Sequence, residues 1–281
     1  MKHIMQSLSF VSSQSVSFNR CDTSNPLEST DLVEEMPLAI SINDISYAVM
    51  MVTPTHLDAF VIGFARSEGL IEQINDIRDL DIQRTQTPSG IDSIAINVVL
   101  SPRRFAQFKQ RKKAHLGATG CGLCGTESLT QAIPSLAALP PCQVMEETAL
   151  IALKSRLSEF QILGNKTGAV HGALLISPDG SPIVCMEDIG RHNALDKVIG
   201  YALQQDINLQ NHSVLMSSRC STELVQKAVR VGLSRLIHLA SPSTLAVKLA
   251  QHYGLTLIHL PKQDAPRVYA SSIPLKDSNN E

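Results

Sequence analysis

The sequence predicts an α/β protein in two parts, a smaller α+β domain followed by an α/β domain on a mixed sheet. Three observations point there. The second half alternates short apolar runs with amphipathic helical stretches and short connections, the βαβαβ rhythm of a largely parallel sheet with right-handed crossovers. The first half instead pairs β-like runs around a tight turn and adds one strongly amphipathic helix. Finally, 281 residues, 43% of them apolar, amount to roughly two domains with material for sizeable cores.

Residues 1–33 are rich in Ser, Asn, Gln and Thr without a sustained period, so they are expected to form a mobile tail. The rest divides into an amino-terminal domain over 34–117, a Cys-x-x-Cys loop over 118–126, an α/β domain over 127–270 and a second tail over 271–281. Met36 to Val52 reads as a hairpin about Asn43-Asp44, with Leu38, Ile40 and Ile42 on one face. His56 to Glu68 carries Leu57, Phe60, Val61, Phe64 and Ala65 at helical spacing, with Thr55 and Asp58 as a capping box and Gly69 as the stop. Strand-like runs follow at Ile77 to Ile82 and Ile91 to Leu100, then a basic helix from Ser101-Pro102 through His115. In the second domain, Ala169 to Ile176 and Pro182 to Met186 flank the turn Pro178-Asp179-Gly180. A helix over Asn193 to Gln204 presents Ala194, Leu195, Val198, Ile199 and Ala202 on one face. Strands at Val214 to Met216, Leu236 to Ala240 and Leu255 to Leu260 then alternate with helices at Thr222 to Val231 and Thr244 to Tyr253, which Gly232 and Gly254 end.

Composition narrows the function. Lys and Arg number 24 against 26 Asp and Glu, a formal charge of −2, which removes the basic excess of a general nucleic-acid binder. Apolar runs fall short of the roughly 18 residues of a membrane helix, and the start does not read as a secretory signal. Aromatic content of 4% without Trp argues against a carbohydrate or aromatic-cage binder. Without an export signal, the six cysteines read as thiols of a reducing compartment, with the cytoplasm as the expected location.

Chemistry concentrates in Gly120-Cys121-Gly122-Leu123-Cys124-Gly125. A Cys-x-x-Cys places two sulfurs close enough to share a metal, form a disulfide or exchange a sulfur atom. The glycines strip side chains from around both sulfurs, leaving them open to a partner. Thr126-Glu127-Ser128-Leu129 looks like a helix start, and Arg103, Arg104, Lys109, Arg111, Lys112, Lys113 and His115 precede the motif. Both favour thiolate. A shift in pKa from about 8.5 to about 7 raises the thiolate fraction at pH 7.5 from about a tenth to roughly three quarters. Zinc and a thioredoxin-like dithiol stand as alternatives. Zinc prefers four ligands, and Cys142, Cys185, Cys220 and His192 are only dispersed candidates; the dithiol motif normally opens a helix in a βαβ context that this stretch lacks. A zinc deaminase would need His-x-Glu and Pro-Cys-x-x-Cys, whereas His171-Gly172-Ala173 has no Glu and Pro141-Cys142 lacks the second Cys. Cys21, Cys142, Cys185 and Cys220 read most simply as packing or surface residues.

A second concentration runs from Glu187-Asp188-Ile189-Gly190-Arg191-His192-Asn193 to Ala194-Leu195-Asp196-Lys197-Val198-Ile199-Gly200, at a strand-to-helix junction. Its plain structural reading has Asp188 capping the helix and His192 pairing with Asp196 at i, i+4; a functional reading weighs equally. Together with the cysteine motif, this segment resembles the FdhD family, the sulfurtransferases needed for formate dehydrogenase activity. Met51-Val52-Thr53-Pro54, Gly63-Phe64-Ala65-Arg66-Ser67-Glu68-Gly69, Ser218-Arg219, Lys227-Ala228 and Leu245-Ala246-Val247 extend the resemblance over about residues 34–270.

The resemblance implies a cytidine-deaminase-like second domain without the deaminase metal site, and a homodimer. It also implies a sulfur relay: a cysteine desulfurase hands persulfide sulfur to Cys121, and the protein delivers it to the molybdenum of bis-molybdopterin guanine dinucleotide before that cofactor enters the formate dehydrogenase apoenzyme. Cys124 would assist by thiol exchange. Helix starts after Met216-Ser217-Ser218-Arg219 and Ala240-Ser241-Pro242-Ser243 offer backbone N–H groups to phosphate, with ordinary capping as the plain alternative. The family's cofactor segment aligns with Leu260-Pro261-Lys262-Gln263-Asp264-Ala265. There the family carries an aromatic and two arginines, whereas this chain has Leu260, Lys262 and Ala265, so one charge and the stacking ring are missing and a weaker contact is expected. His171 also matches a family position and reads as a buried strand residue. The alternative to sulfur transfer is a non-catalytic chaperone that holds the cofactor while its cysteines serve structure or redox sensing.

Overall fold

The computed structural model describes residues 10–21, 27–114, 133–143 and 145–271. Its amino-terminal sheet has the order β4-β3-β6-β5, from β3 (Met36–Ile42), β4 (Ile45–Val52), β5 (Ile77–Gln86) and β6 (Asp92–Leu100). β3 runs antiparallel to β4 and parallel to β6, so Leu38, Ile40 and Ile42 lie beside Ile94, Ile96 and Val98 on one face. The helices α1 (Leu57–Ser67) and α2 (Pro102–Ala114) cover that face through Phe60, Val61, Phe64 and Phe108.

The second sheet has the order β12-β11-β10-β9-β7-β8, built from β7 (His171–Ile176), β8 (Pro182–Asp188), β9 (Ser213–Met216), β10 (Arg235–His238), β11 (Thr256–His259) and β12 (Arg267–Ala270). Its three central strands β9, β10 and β11 are parallel, and the flanking pairs are antiparallel. Because successive side chains point to opposite faces, Leu175, Met216, Leu236 and Leu257 meet the helices that follow the strands: α5 (Arg191–Gln204), α6 (Thr222–Arg230) and α7 (Thr244–Tyr253). Leu174, Leu215, Ile237 and Ile258 meet Leu150, Leu153 and Leu157 of α3 (Glu147–Phe160), which the short α4 (Ile162–Thr167) follows.

The two domains are joined helix to helix. α1 and α5 are buried nearly all round, the expectation for helices with packed layers on both sides. Their axes come close enough that a methyl group on Gly63 would sit 1.7 Å from the Asp196 carbonyl oxygen, and one on Gly200 1.8 Å from that of Ala59. Glycine is the one residue that fits at either position.

Several expectations are corrected. Within residues 1–33, the expected mobile tail, β1 (Ser13–Phe18) and β2 (Glu28–Val33) form an antiparallel hairpin. Polar anchoring holds it: Lys166 Nζ donates to Ser13 Oγ at 2.9 Å and pairs with Asp31 at 3.5 Å, and Phe10 packs on the amino-terminal core. The capping box of α1 is not made. His56 occupies the cap with φ of 50°, and Asp58 accepts from Gln204 Nε2 at 2.8 Å, an interdomain contact that outweighs the local one. α3, α4 and β12 add to the expected elements. Residues 118–126, with Cys121 and Cys124, lie outside the described residues, as do 272–281. Among the described residues, no helix is long and apolar enough to cross a membrane.

Candidate functional site

In an open α/β sheet, the carboxyl ends of parallel strands and the first turns of the following helices form a natural ligand-binding edge. Here four connections meet that edge: 189–190 before α5, 217–221 before α6, 239–243 before α7, and 260–266 between β11 and β12.

The charged motif around α5 divides between this edge and the domain joint. Asp188 has no exposed surface; its Oδ1 accepts from Gly190 N and Asn193 Nδ2, both at 2.8 Å, and its Oδ2 from Thr53 N at 3.0 Å. Lys197 Nζ reaches that Oδ2 at 2.7 Å and donates to Thr53 O, Thr55 Oγ1 and Glu187 O, each at 3.0 Å. On the preceding residue, Asp196 receives Ser67 Oγ at 2.6 Å and Lys227 Nζ at 2.9 Å, and Lys227 also meets Glu68 at 3.0 Å. Asp188, Asn193, Asp196 and Lys197 therefore bind the domains together. The expected helix cap by Asp188 is not made, because Gly190 is the N-cap of α5 and Asp188 accepts from the Gly190 N–H and the Asn193 side chain instead; the expected His192 to Asp196 pair is likewise replaced by interdomain contacts of Asp196 and by a different partner for His192.

That partner is Glu223, whose Oε2 lies 3.0 Å from His192 Nε2 and accepts from Ser221 Oγ at 3.1 Å. Ser221 is the N-cap of α6, yet its hydroxyl is committed to Glu223, so no side chain caps that helix; Gly190, the N-cap of α5, has none to offer. Two helix starts thus leave backbone donors at the sheet edge. Beside them, Arg191 Nε is buried without a hydrogen-bond partner among the described residues. α7 differs, because Ser243 Oγ accepts from Ala246 N at 3.2 Å and makes the ordinary cap. Burial, with the Arg191 charge adding, holds His171 below the usual imidazole range; burial does the same to His192 against the pull of Glu223. Both rings are neutral near pH 7.

Ser217 Oγ accepts from Gly172 N at 3.0 Å and lies 3.4 Å from His171 Nδ1, so His171 sits at the edge rather than inside the strand core. Ser218 is buried, its carbonyl 2.9 Å from His238 Nδ1, while Arg219 is exposed. His238 is wholly buried, and its Nε2 has no hydrogen-bond partner among the described residues.

The 260–265 segment is only partly available. Leu260 packs inside the core against the α3 face, whereas Lys262, Gln263, Asp264 and Ala265 are exposed and Pro261 is half-buried. Two cations that sequence reasoning missed stand beside it. Lys154 of α3 donates to the Asp264 carbonyl at 3.0 Å, and Arg267 pairs with the Asp264 carboxylate at 2.5 Å. Tyr269, stacked on His259 at 6.4 Å, is an aromatic ring close by. Arg267 and Tyr269 lie just past the aligned segment, the one available sign of them; Lys154 is remote in sequence and gave none. A cleft of about 240 Å³ lined by Arg66, Glu72, Leu203, Asp206 and Val231 lies at the far end of α5, away from this edge.

A model of the FdhD/NarQ family matches residues 33–274. The chain belongs to the FdhD/NarQ family. A crystal structure from Desulfotalea psychrophila, described as that of a formate dehydrogenase accessory protein, shares the fold of this FdhD/NarQ chain. The TM-score is 0.67 at 24% identity, covering 92% of this chain and 96% of that one.

Among the described cysteines of this FdhD/NarQ protein, burial pushes the Cys220 thiol up to about 12, and burial with the Glu187 charge pushes Cys185 to about 12. Both are protonated thiols, poor nucleophiles at neutral pH. Cys142 is buried, with its Sγ 3.5 Å from Thr256 Oγ1, and Cys21 is exposed.

Proposed function

We propose that this FdhD/NarQ protein matures formate dehydrogenase as a sulfur carrier, passing persulfide sulfur from a cysteine desulfurase to the molybdenum of the bis-molybdopterin guanine dinucleotide cofactor. The observation that carries the reading is the family match across 33–274, which contains the Gly120 to Gly125 motif. Support comes from the described thiols, of which Cys185 and Cys220 are protonated in the interior and are unsuited to the task. The name of the Desulfotalea structure agrees with the role in formate dehydrogenase maturation.

In the first step the Cys121 thiolate attacks the outer sulfur of the desulfurase persulfide. A sulfur–sulfur bond forms at Cys121, and the desulfurase cysteine leaves as thiolate. Attack by Cys124 on the inner sulfur of Cys121 then forms an intramolecular disulfide and expels the carried atom as hydrosulfide, so the cysteine pair supplies the two electrons. The dinucleotide is the substrate that receives this sulfur. Its phosphates suit the uncapped starts of α5 and α6 with Arg191, together with Ser218, Arg219, Lys262 and Arg267 along the same edge. The deaminase-like ancestry of the second domain, the homodimer and the cytoplasmic location belong to the same proposal.

Incubation with a cysteine desulfurase and isotopically labelled cysteine, followed by non-reducing mass spectrometry, should place a persulfide on Cys121. Label on neither Cys121 nor Cys124 rejects the relay. A Cys121→Ala protein that still restores formate dehydrogenase in cells reduces the chain to a cofactor-holding chaperone.

A further inference from the structure

The joint between the domains carries a second group of cations, at the end of α6 remote from the candidate site. Arg230 closes α6, and Arg66, from the last turn of α1, donates from Nη1 to the Arg230 carbonyl at 3.0 Å. Arg111 of α2 donates from Nη1 to the carbonyl of Gly69 at 2.8 Å. Gly69 marks how close the guanidinium groups lie. A methyl group there would sit 2.7 Å from Arg230 Nη1 and 3.5 Å from Arg111 Nη1, and the residue holds a φ of 72°. Tyr47 completes the group: its ring packs edge-on against Phe64 and Phe108, at 5.9 and 5.8 Å, and it is 38% exposed.

These charges are incompletely balanced. Glu68 is the carboxylate whose charge acts on Arg230, but its Oε1 is held by Lys227 at 3.0 Å, and Asp196 is held by Lys227 as well. Arg230 Nε is buried and has no hydrogen-bond partner among the described residues. Burial lowers the Arg230 pKa, and Arg111 lowers it further. A guanidinium withdrawn from water beside a second one, with donors left over, is costly unless an acceptor completes it. Burial, and after it the Glu68 charge, raises the Tyr47 phenol to about 12, so it stays a protonated donor.

We propose that Arg111, Arg230 and Tyr47 form a binding site for a phosphate group at the joint of α1, α2 and α6. Two guanidinium groups, close together on either side of Gly69, and a neighbouring phenol are the kind of donors that a phosphate oxyanion accepts. The site lies roughly 13 Å from the start of α6, at about 1.5 Å per helical residue, so it is distinct from the sheet edge. It does not depend on the sulfur-carrier reading.

The test is titration of the full chain with inorganic diphosphate, read by calorimetry and by thermal unfolding. Saturable binding with a dissociation constant below ~1 mM is expected, together with a rise in the unfolding midpoint. Arg230→Gln and Arg111→Gln should each weaken it by roughly tenfold or more, while Arg84→Gln, at an exposed strand residue paired with Asp92 and part of neither site, leaves it unchanged. Arg111 is exposed, so its variant keeps the test decisive if Arg230→Gln does not fold. Absence of saturable binding in the wild type, or equal binding by Arg111→Gln, overturns the proposal. A parallel titration with guanosine diphosphate separates the sources. Weakening by Arg111→Gln shows that a nucleotide phosphate uses this site, and loss only in Arg191→Gln assigns the nucleotide to the sheet edge and leaves free phosphate as the ligand here.

Discussion

Asp196 has no exposed surface, and what satisfies it comes from other elements: Ser67 from α1 and Lys227 from α6. Although burial opposes its charge, Asp196 and Glu68 raise the Lys227 pKa above the ordinary ammonium value. Lys227→Met should therefore cost about 3–5 kcal/mol in denaturant unfolding, because it strands a buried carboxylate; a loss under about 1 kcal/mol would show that Asp196 is protonated in the native state. His238 makes a second prediction. Burial holds its pKa at about 4 against an ordinary 6.5, so between those values the unfolded chain binds the extra proton. Stability should be complete above pH 6.5 and fall as pH drops toward 4, by up to ~1.4 kcal/mol per pH unit from this group. His238→Gln should flatten the profile, and an unchanged slope would refute the assignment. At this scale the sequence was only half legible. The density of charge from Glu187 to Lys197 was visible, but its meaning depends on Thr53, Ser67 and Lys227, remote positions that no local pattern connects to it.

At the scale of elements, the glycine contact of α1 with α5 leaves no room for adjustment, since the opposing atoms are backbone carbonyls. Gly63→Ala and Gly200→Ala should each destabilise the protein by about 3 kcal/mol or more, measured by thermal unfolding. Gly90→Ala offers a control, because no atom lies within 4 Å of its added methyl, although the φ of 78° brings a small strain cost. The β1–β2 hairpin is the opposite case, mostly exposed and held by polar contacts. Deleting residues 1–33 should leave one cooperative transition and cost less than ~2 kcal/mol; loss of the fold would make the hairpin integral to the amino-terminal core. Most strands and helices were legible because apolar periodicity and glycine stops mark them locally. Leu150, Leu153 and Leu157 of α3 carry a readable helical period too. The hairpin carried no such mark, since its strands pair without burying an apolar face.

At the scale of the molecule, the order of layers is sheet, α1, α5, sheet and α3, with the charged joint inside. Neither domain has a complete surface without the other: α1 alone would expose Gly63 and Ser67, and α5 would expose Asp196 and Lys197. Calorimetry should therefore find a single transition whose calorimetric and van't Hoff enthalpies agree, and two resolved transitions would contradict the account of the joint. Alternation of strands and helices in the second half predicted its sheet, whereas the mutual burial of the two domains depends on contacts between distant segments and could not be read ahead.

The helix that α1 needs is encoded well over a hundred residues downstream. At synthesis rates of about 5–20 residues per second, the half-made chain waits on the order of ten seconds on the ribosome with its glycine seam bare. During that interval the nascent protein is a natural client for chaperones, and its yield in the cell should depend on how soon the second helix emerges to close the seam.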